Sequence, residues 1–373
     1  MRPTRYISWL GAAVLIATLG GCSVLANSAL GAGRQVQITY PTLRRVPLWG
    51  LPTSLVGQII GLGLYHGTIT AVIHWVNIPS SAAVWTLSKG TTAPQITPLR
   101  GFVATTTSNG QAWWANRQSS HLVVSNGHDQ VLLNLRSDAA PMAPMIVNGR
   151  QSGAIVVREH GHLGVLTWAQ HKTIWHGTAL SHISALGQSR QGDVWVAGLQ
   201  SGRPRLIVLG PHGWSRPLMG EVLAMWPTST GMWLVVNTQM AVQAGIANQL
   251  VKRSWSGKME ADVAIHQPRT RSILSPIAWY GGATNGYRTA AGMLLMALWD
   301  PVAQRVVMVQ RGQRGTQRVL LRSGTSDFLH SGMAPVFPIL TEGDITVMGI
   351  GNRLAFYVTN GHAAAQVNRL INR

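Results

Sequence analysis

Apolar positions in this chain fall in short runs and not at helical spacing. Seven times a glycine in a polar turn opens a run of apolar and β-branched residues, at 67–76, 110–116, 153–159, 192–198, 231–237, 292–299 and 343–350. The opening glycines lie 43, 43, 39, 39, 61 and 51 residues apart. A turn and a second run follow each one, at 82–87, 121–125, 163–168, 205–209, 250–255, 305–309 and 354–358. A short third run comes next, clearest at 130–135 and 214–218, and a fourth apolar stretch precedes the next glycine, as at 102–104, 145–147, 183–186 and 222–226. Runs of this length between turn residues predict strands. Asn-Gly steps starting at Asn109, Asn126, Asn148 and Asn360 supply the hairpin chemistry, because glycine and asparagine accept the positive φ that tight turns need.

Four short strands per unit, repeated at this period, predict an all-β fold: a β-propeller of seven four-stranded blades. A six- or eight-bladed ring and a pair of β-sandwiches fit the pattern as well. The stretch 183–198 (ISALGQSRQGDVWVAG) resembles the blade consensus of bacterial β-propellers, in which an inner strand leads through a polar turn to a strand written Trp-Val-Gly. The only Trp-Asp dipeptide is Trp299-Asp300, so the WD-type propeller fits poorly. Of the 15 tryptophans, Trp75, Trp85, Trp113, Trp168, Trp195, Trp233 and Trp255 fall inside strand-like runs and suit packing between blades. Trp114 points to the opposite face from Trp113 and is the surface candidate among them.

The N-terminus carries a different signal. Arg2 and Arg5 precede an apolar stretch at 7–19, long enough for an export signal and too short for a permanent span. It ends in Leu19-Gly20-Gly21-Cys22, which resembles the lipobox of bacterial lipoproteins. That resemblance implies lipidation of Cys22, which would become the mature N-terminus and fix the protein to the outer face of a bacterial membrane. Two or three acyl chains would hold it there, each buried methylene adding about 0.8 kcal/mol. The expected organisation is a signal helix at 1–21, a flexible tether and lead-in segment at 22–50, and the propeller at 51–373. Cys22 is the sole cysteine, so disulfides and thiolate metal sites are excluded.

Charge sharpens the picture. Thirty basic residues against 11 acidic give a formal +19, while only 11% of residues are charged and mean hydropathy is +0.14. A chain this apolar can bury a core, so a disordered polyelectrolyte is excluded. Scarcity of acids suits either an acidic exterior, where carboxylates are protonated, or a cationic surface for envelope polyanions. Arg305, Arg311, Arg314, Arg318 and Arg322 form the one basic concentration, in a stretch without an acid, read as a solvated loop between two strands with possible anion binding as the sharper alternative. No aromatic residue is interleaved there, which argues against stacked nucleic-acid bases.

Chemistry is sparse. There is no Gly-x-Ser-x-Gly elbow, phosphate loop or dinucleotide fingerprint. Glu159-His160-Gly161-His162 is the densest set of metal-type side chains. In an extended strand His160 and His162 would share a face and could share a metal; the favoured reading is a polar hairpin turn. No catalytic residue, metal or cofactor is therefore assigned. The expectation is a monomeric, non-enzymatic interaction or ligand-binding module of the cell envelope, facing an envelope polymer or protein. An exported hydrolase, lyase or quinoprotein with its pocket at the channel mouth is the alternative.

Overall fold

The computed structural model describes residues 42–47, 57–237, 246–266 and 345–371 apart from a few turn positions, and between them strand segments at 275–276, 287–288, 294–300, 305–311, 317–322 and 339–342. The lipobox, Cys22 and Arg314 lie outside these residues. Successive strands pair antiparallel with their chain neighbours, giving seven sheets among the described residues. The first comprises Gly57–Tyr65, Thr68–Trp75, Ser81–Leu87 and Gln95–Arg100; the second Phe102–Ser108, Gln111–Gln118, His121–Ser125 and Gln130–Asn134. The third runs from Ala140–Asn148 through Ser152–Glu159 and His162–Ala169 to Lys172–Gly177. The fourth and fifth open with His182–Gln188 and Glu221–Pro227, the sixth holds Leu294–Asp300, Arg305–Arg311 and Gln317–Arg322, and the seventh holds Ile339–Glu342, Ile345–Ile350 and Arg353–Val358.

Each sheet packs against the next, and the strand Gly57–Tyr65 packs against both Phe102–Ser108 and Ile339–Glu342, so the seventh sheet meets the first and the ring closes. Closure is reinforced by sequence-distant pairing. Thr42–Pro47, expected within the lead-in segment, is the outermost strand of the seventh sheet and pairs antiparallel with Arg353–Val358, Thr42 opposite Val358. Such a ring of radial, chiefly four-stranded antiparallel sheets is a β-propeller. The sequence offered no sign of the C-terminal helix Gly361–Ile371, whose Ala363 and Val367, one turn apart, are buried against the first and seventh sheets.

Why the strands read as unbroken apolar runs follows from this arrangement. A sheet inside the ring has a neighbour on both faces, so both sets of alternating side chains are buried. In the run Ala112–Ala115, Trp113 packs with Met145, Ile155 and Trp168 of the third sheet, while Trp114 packs with Val72, Val84 and Leu99 of the first. Trp75, Trp85, Trp168 and Trp195 are likewise buried, whereas Trp233 and Trp255 are half-buried.

At the inner rim the first two sheets are pinned by one backbone and one side-chain hydrogen bond. Leu64 N–H donates to Gly110 O at 2.7 Å, and Thr107 Oγ1 donates to Leu62 O at 2.6 Å. Small residues permit this approach: a Cβ at Gly63 would strike the Ala112 backbone, and one at Gly61 would strike Thr105 Oγ1. From this pinned rim the two sheets diverge outward, as spokes do.

Candidate functional site

That divergence leaves a groove of about 960 Å³ between the first and second sheets. Side-chain amides and hydroxyls, among them Thr86, Gln95, Thr97, Gln111, Asn116 and Gln130, share its walls with apolar side chains that include Val84, Leu99 and the indole of Trp114. The charged or chargeable groups are Arg100, Arg117, His66 and His128; the described lining has no carboxylate.

Strand directions sort these four groups to opposite ends. His66 occupies the two-residue turn after Gly57–Tyr65, and His128 the turn after His121–Ser125, both at one end. Arg100 closes the last strand of the first sheet and Arg117 nears the end of Gln111–Gln118, so both lie at the other end. The two arginines are fixed relative to each other because Arg117 N–H donates to Gly101 O at 2.7 Å. Only glycine fits there: φ is +66°, and a Cβ would collide with Arg117 O. Arg117 Nε also donates to Ser119 O at 3.2 Å, leaving its other guanidinium donors for the groove and for a second cleft of about 480 Å³ toward Met142. Among the described ion pairs neither arginine has a carboxylate partner.

The opposite end is shaped by its own hydrogen bonds. Asn126 Oδ1 accepts from His128 N–H and Asp129 N–H at 2.9 and 2.7 Å, a turn of the Asx type, while Asn126 Nδ2 donates to Gln111 Oε1 at 3.1 Å. His74, on the second strand of the first sheet, sits 5.8 Å from the Phe102 ring centroid with Nδ1 buried and without a hydrogen bond. Burial lowers its pKa below the usual histidine value, as it does for His176 in the third sheet.

Several expected site residues are relocated. Trp114, expected on the surface, is only 7% exposed, because the face opposite Trp113 is also covered by a neighbouring sheet. Arg305 and Arg311 bound one strand, and Arg318 and Arg322 lie on the next, so four of the five arginines are on a paired hairpin and not in a loop. An apolar run between charged ends, as in RVVMVQR, carries the strand pattern despite the arginines. His160 and His162 do not share an extended face. His160 at φ +49° and Gly161 at φ +79° form a two-residue turn whose flanking pair is Glu159 and His162. His160 turns instead to Asp138, with Nδ1 3.0 Å from Oδ2. The groove was not foreseen in the sequence: Arg100 and Arg117 look like scattered surface charges until the strands are paired.

No family model matches the chain, and no curated protein matches it in sequence. Solved structures do resemble it. Virginiamycin B lyase from Staphylococcus aureus, solved as a catalytically inactive variant with quinupristin, matches with a TM-score of 0.54 at 11% identity, over 85% of this chain and 99% of that one. YCF48 from Cyanidioschyzon merolae matches at 0.50 and 11% identity, over 85% and 98%. The extracellular domain of BT4673 from B. thetaiotaomicron matches at 0.50 and 10%, over 85% of this chain and 40% of that one. These likenesses establish the β-propeller fold. An enzyme and the extracellular domain of a signalling system are among them, so the fold alone does not select an activity.

Proposed function

We propose that this chain is an exported, lipid-anchored, seven-bladed propeller that binds an anionic polymer of the cell envelope and performs no chemistry on it. The observation that carries the reading is the groove between the first two sheets. It mixes amides and hydroxyls with apolar side chains and carries at one end two arginines that have no carboxylate partner among the described ion pairs. Guanidinium groups suit carboxylate or phosphate, and amides and hydroxyls suit sugar hydroxyls. Glycoside cleavage of the usual kind asks instead for two carboxylates flanking one bond, and the described lining has none. The overall charge of +19 draws the same class of partner to the surface.

The anchor rests on Leu19-Gly20-Gly21-Cys22, and no described helix is long and apolar enough to cross a membrane. A Cys22→Ala protein should leave the membrane fraction after a high-salt wash; retention equal to wild type removes the anchor. For the ligand, full-length protein in detergent is titrated with polygalacturonate and with a neutral glucan. Expected is saturable binding of the acidic polymer alone, weakening as salt rises, and at least about tenfold weaker in the Arg100→Gln/Arg117→Gln variant, since two charge-assisted contacts are lost. Equal binding by that variant overturns the groove as the site.

A further inference from the structure

The tightest cluster of metal-type ligands in the described residues lies away from the groove, where two turns face each other. The first is Arg136–Ala139, closed by Ala139 N–H donating to Arg136 O at 3.1 Å, which leads from the second sheet into the third. The second is the hairpin turn after Ser152–Glu159. Pairing of Ala140 with Arg158 sets the two turns side by side, so that His160 N–H donates to Asp138 Oδ2 at 2.9 Å. Asp138, Glu159 and His160 thereby each offer one ligand atom, all within 4.8 Å of one another.

These three groups are unequal, and the inequality is informative. His160 and Asp138 are open to solvent at 73% and 37% exposure, so an ion can reach them. Glu159 is only 4% exposed, and its buried Oε1 receives no hydrogen bond. Its ion-pair partner among the described residues is Arg136 Nη1 at 3.1 Å, outside hydrogen-bonding geometry, on a side chain that is 72% exposed. A buried carboxylate oxygen is costly unless paired and hydrogen-bonded, and here the cation covering it is held only loosely.

The geometry points to a divalent transition-metal site formed by Asp138, Glu159 and His160, with Arg136 as the guanidinium that covers Glu159 when the ion is away. Tetrahedral zinc with nitrogen and oxygen ligands at about 2.0–2.2 Å needs ligand atoms roughly 3.4 Å apart, so a bound ion would draw together groups that already lie within 4.8 Å of one another. His160 would ligate through Nδ1, exchanging its contact with Asp138 for the metal. Three protein ligands leave the fourth position to water. His162, on the strand after the turn, has no part in it.

The test is titration of the full-length protein in detergent with Zn²⁺ alone, followed by calorimetry, and with Co²⁺ followed by its visible absorption. One ion per chain is expected. His160→Asn, which keeps a residue suited to positive φ, and Asp138→Asn should each weaken binding by more than the roughly 10- to 100-fold that an outer-sphere partner is worth. Arg136→Ala should tighten it, because the competing cation is gone, and His162→Asn should bind as wild type. Both Asp138 and His160 are exposed, so these variants test the site even if Glu159→Gln fails to fold. Wild-type affinity in His160→Asn and Asp138→Asn, or no saturable site, overturns the proposal, as does Arg136→Ala lowering the affinity.

Discussion

The second sheet has two faces built from the same strands, and they end differently. On the Trp113 face, Met145, Val147, Ile155, Val157 and Trp168 of the third sheet fill the space against Trp113, Ala104 and Ala115. On the Trp114 face the apolar contact with Val72, Val84 and Leu99 covers only part of the surface, and Thr86, Thr97, Gln95 and Gln130 line open space beside it. Adjacent tryptophans thus belong to a closed interface and to an open one. Divergence of the sheets is common to both interfaces. What differs is whether large apolar side chains occupy the widening gap or polar ones line it, and the second arrangement makes a site.

The largest effects should separate the two faces by stability. Trp113→Ala empties a closed interface in which the indole is 2% exposed, at a cost of about 3–5 kcal/mol. Trp114→Ala enlarges a space that already opens to the groove, so less enclosed packing is lost, and about 2–3 kcal/mol is expected. Urea unfolding of the two variants measures the difference; equal losses would mean that the Trp114 face is packed as fully as its opposite.

Next in size is Gly101→Ala. The substitution demands a positive φ from alanine and drives Cβ into Arg117 O, for about 1–3 kcal/mol. It also displaces the junction that holds Arg100 near Arg117, so binding of polygalacturonate should fall along with stability. A variant that loses stability and binds normally would show that the spacing of the arginines is unimportant.

A smaller effect is set by pH. His74 has a folded-state pKa lowered by burial, so protonation favours the unfolded chain. Its contribution is fully present above the unfolded value near 6.5 and declines as pH drops below that value, until the lower folded pKa is reached. His176 in the third sheet acts with the same sign. Acidification from pH 7.5 to 5 should therefore erode stability, and His74→Leu should flatten the decline without abolishing it. An unchanged pH profile in that variant would remove His74 as a contributor.

Much of this architecture is legible in the sequence because of burial on both faces. All seven glycine-led runs coincide closely with the second strands of the sheets, as at Thr68–Trp75, Gln111–Gln118 and Gly231–Asn237. The same property hides the functional face. Alternation distinguishes core from surface only where one face is wet, and inside the ring it merely distinguishes one neighbour from the other, so Trp114 looks exposed when it is not. Thr42–Pro47, with its arginines, gains its place by pairing with a strand more than three hundred residues away, which no local pattern encodes. Arg100 and Arg117 meet through the register of two sheets, and Asp138 and His160 through the pairing of Ala140 with Arg158.

The smallest expected effect on stability tests the comparison most directly. If the open face is a binding surface, its arginines should be dispensable for folding: neither has an ion pair among the described residues, and both reach solvent or the groove. Arg100→Gln/Arg117→Gln should then unfold within about 0.5 kcal/mol of wild type, as surface substitutions do, while losing affinity for the acidic polymer. Loss of one or more kilocalories per mole would place these side chains in the packing of the interface, and the two faces of the second sheet would then differ in degree of filling and not in purpose.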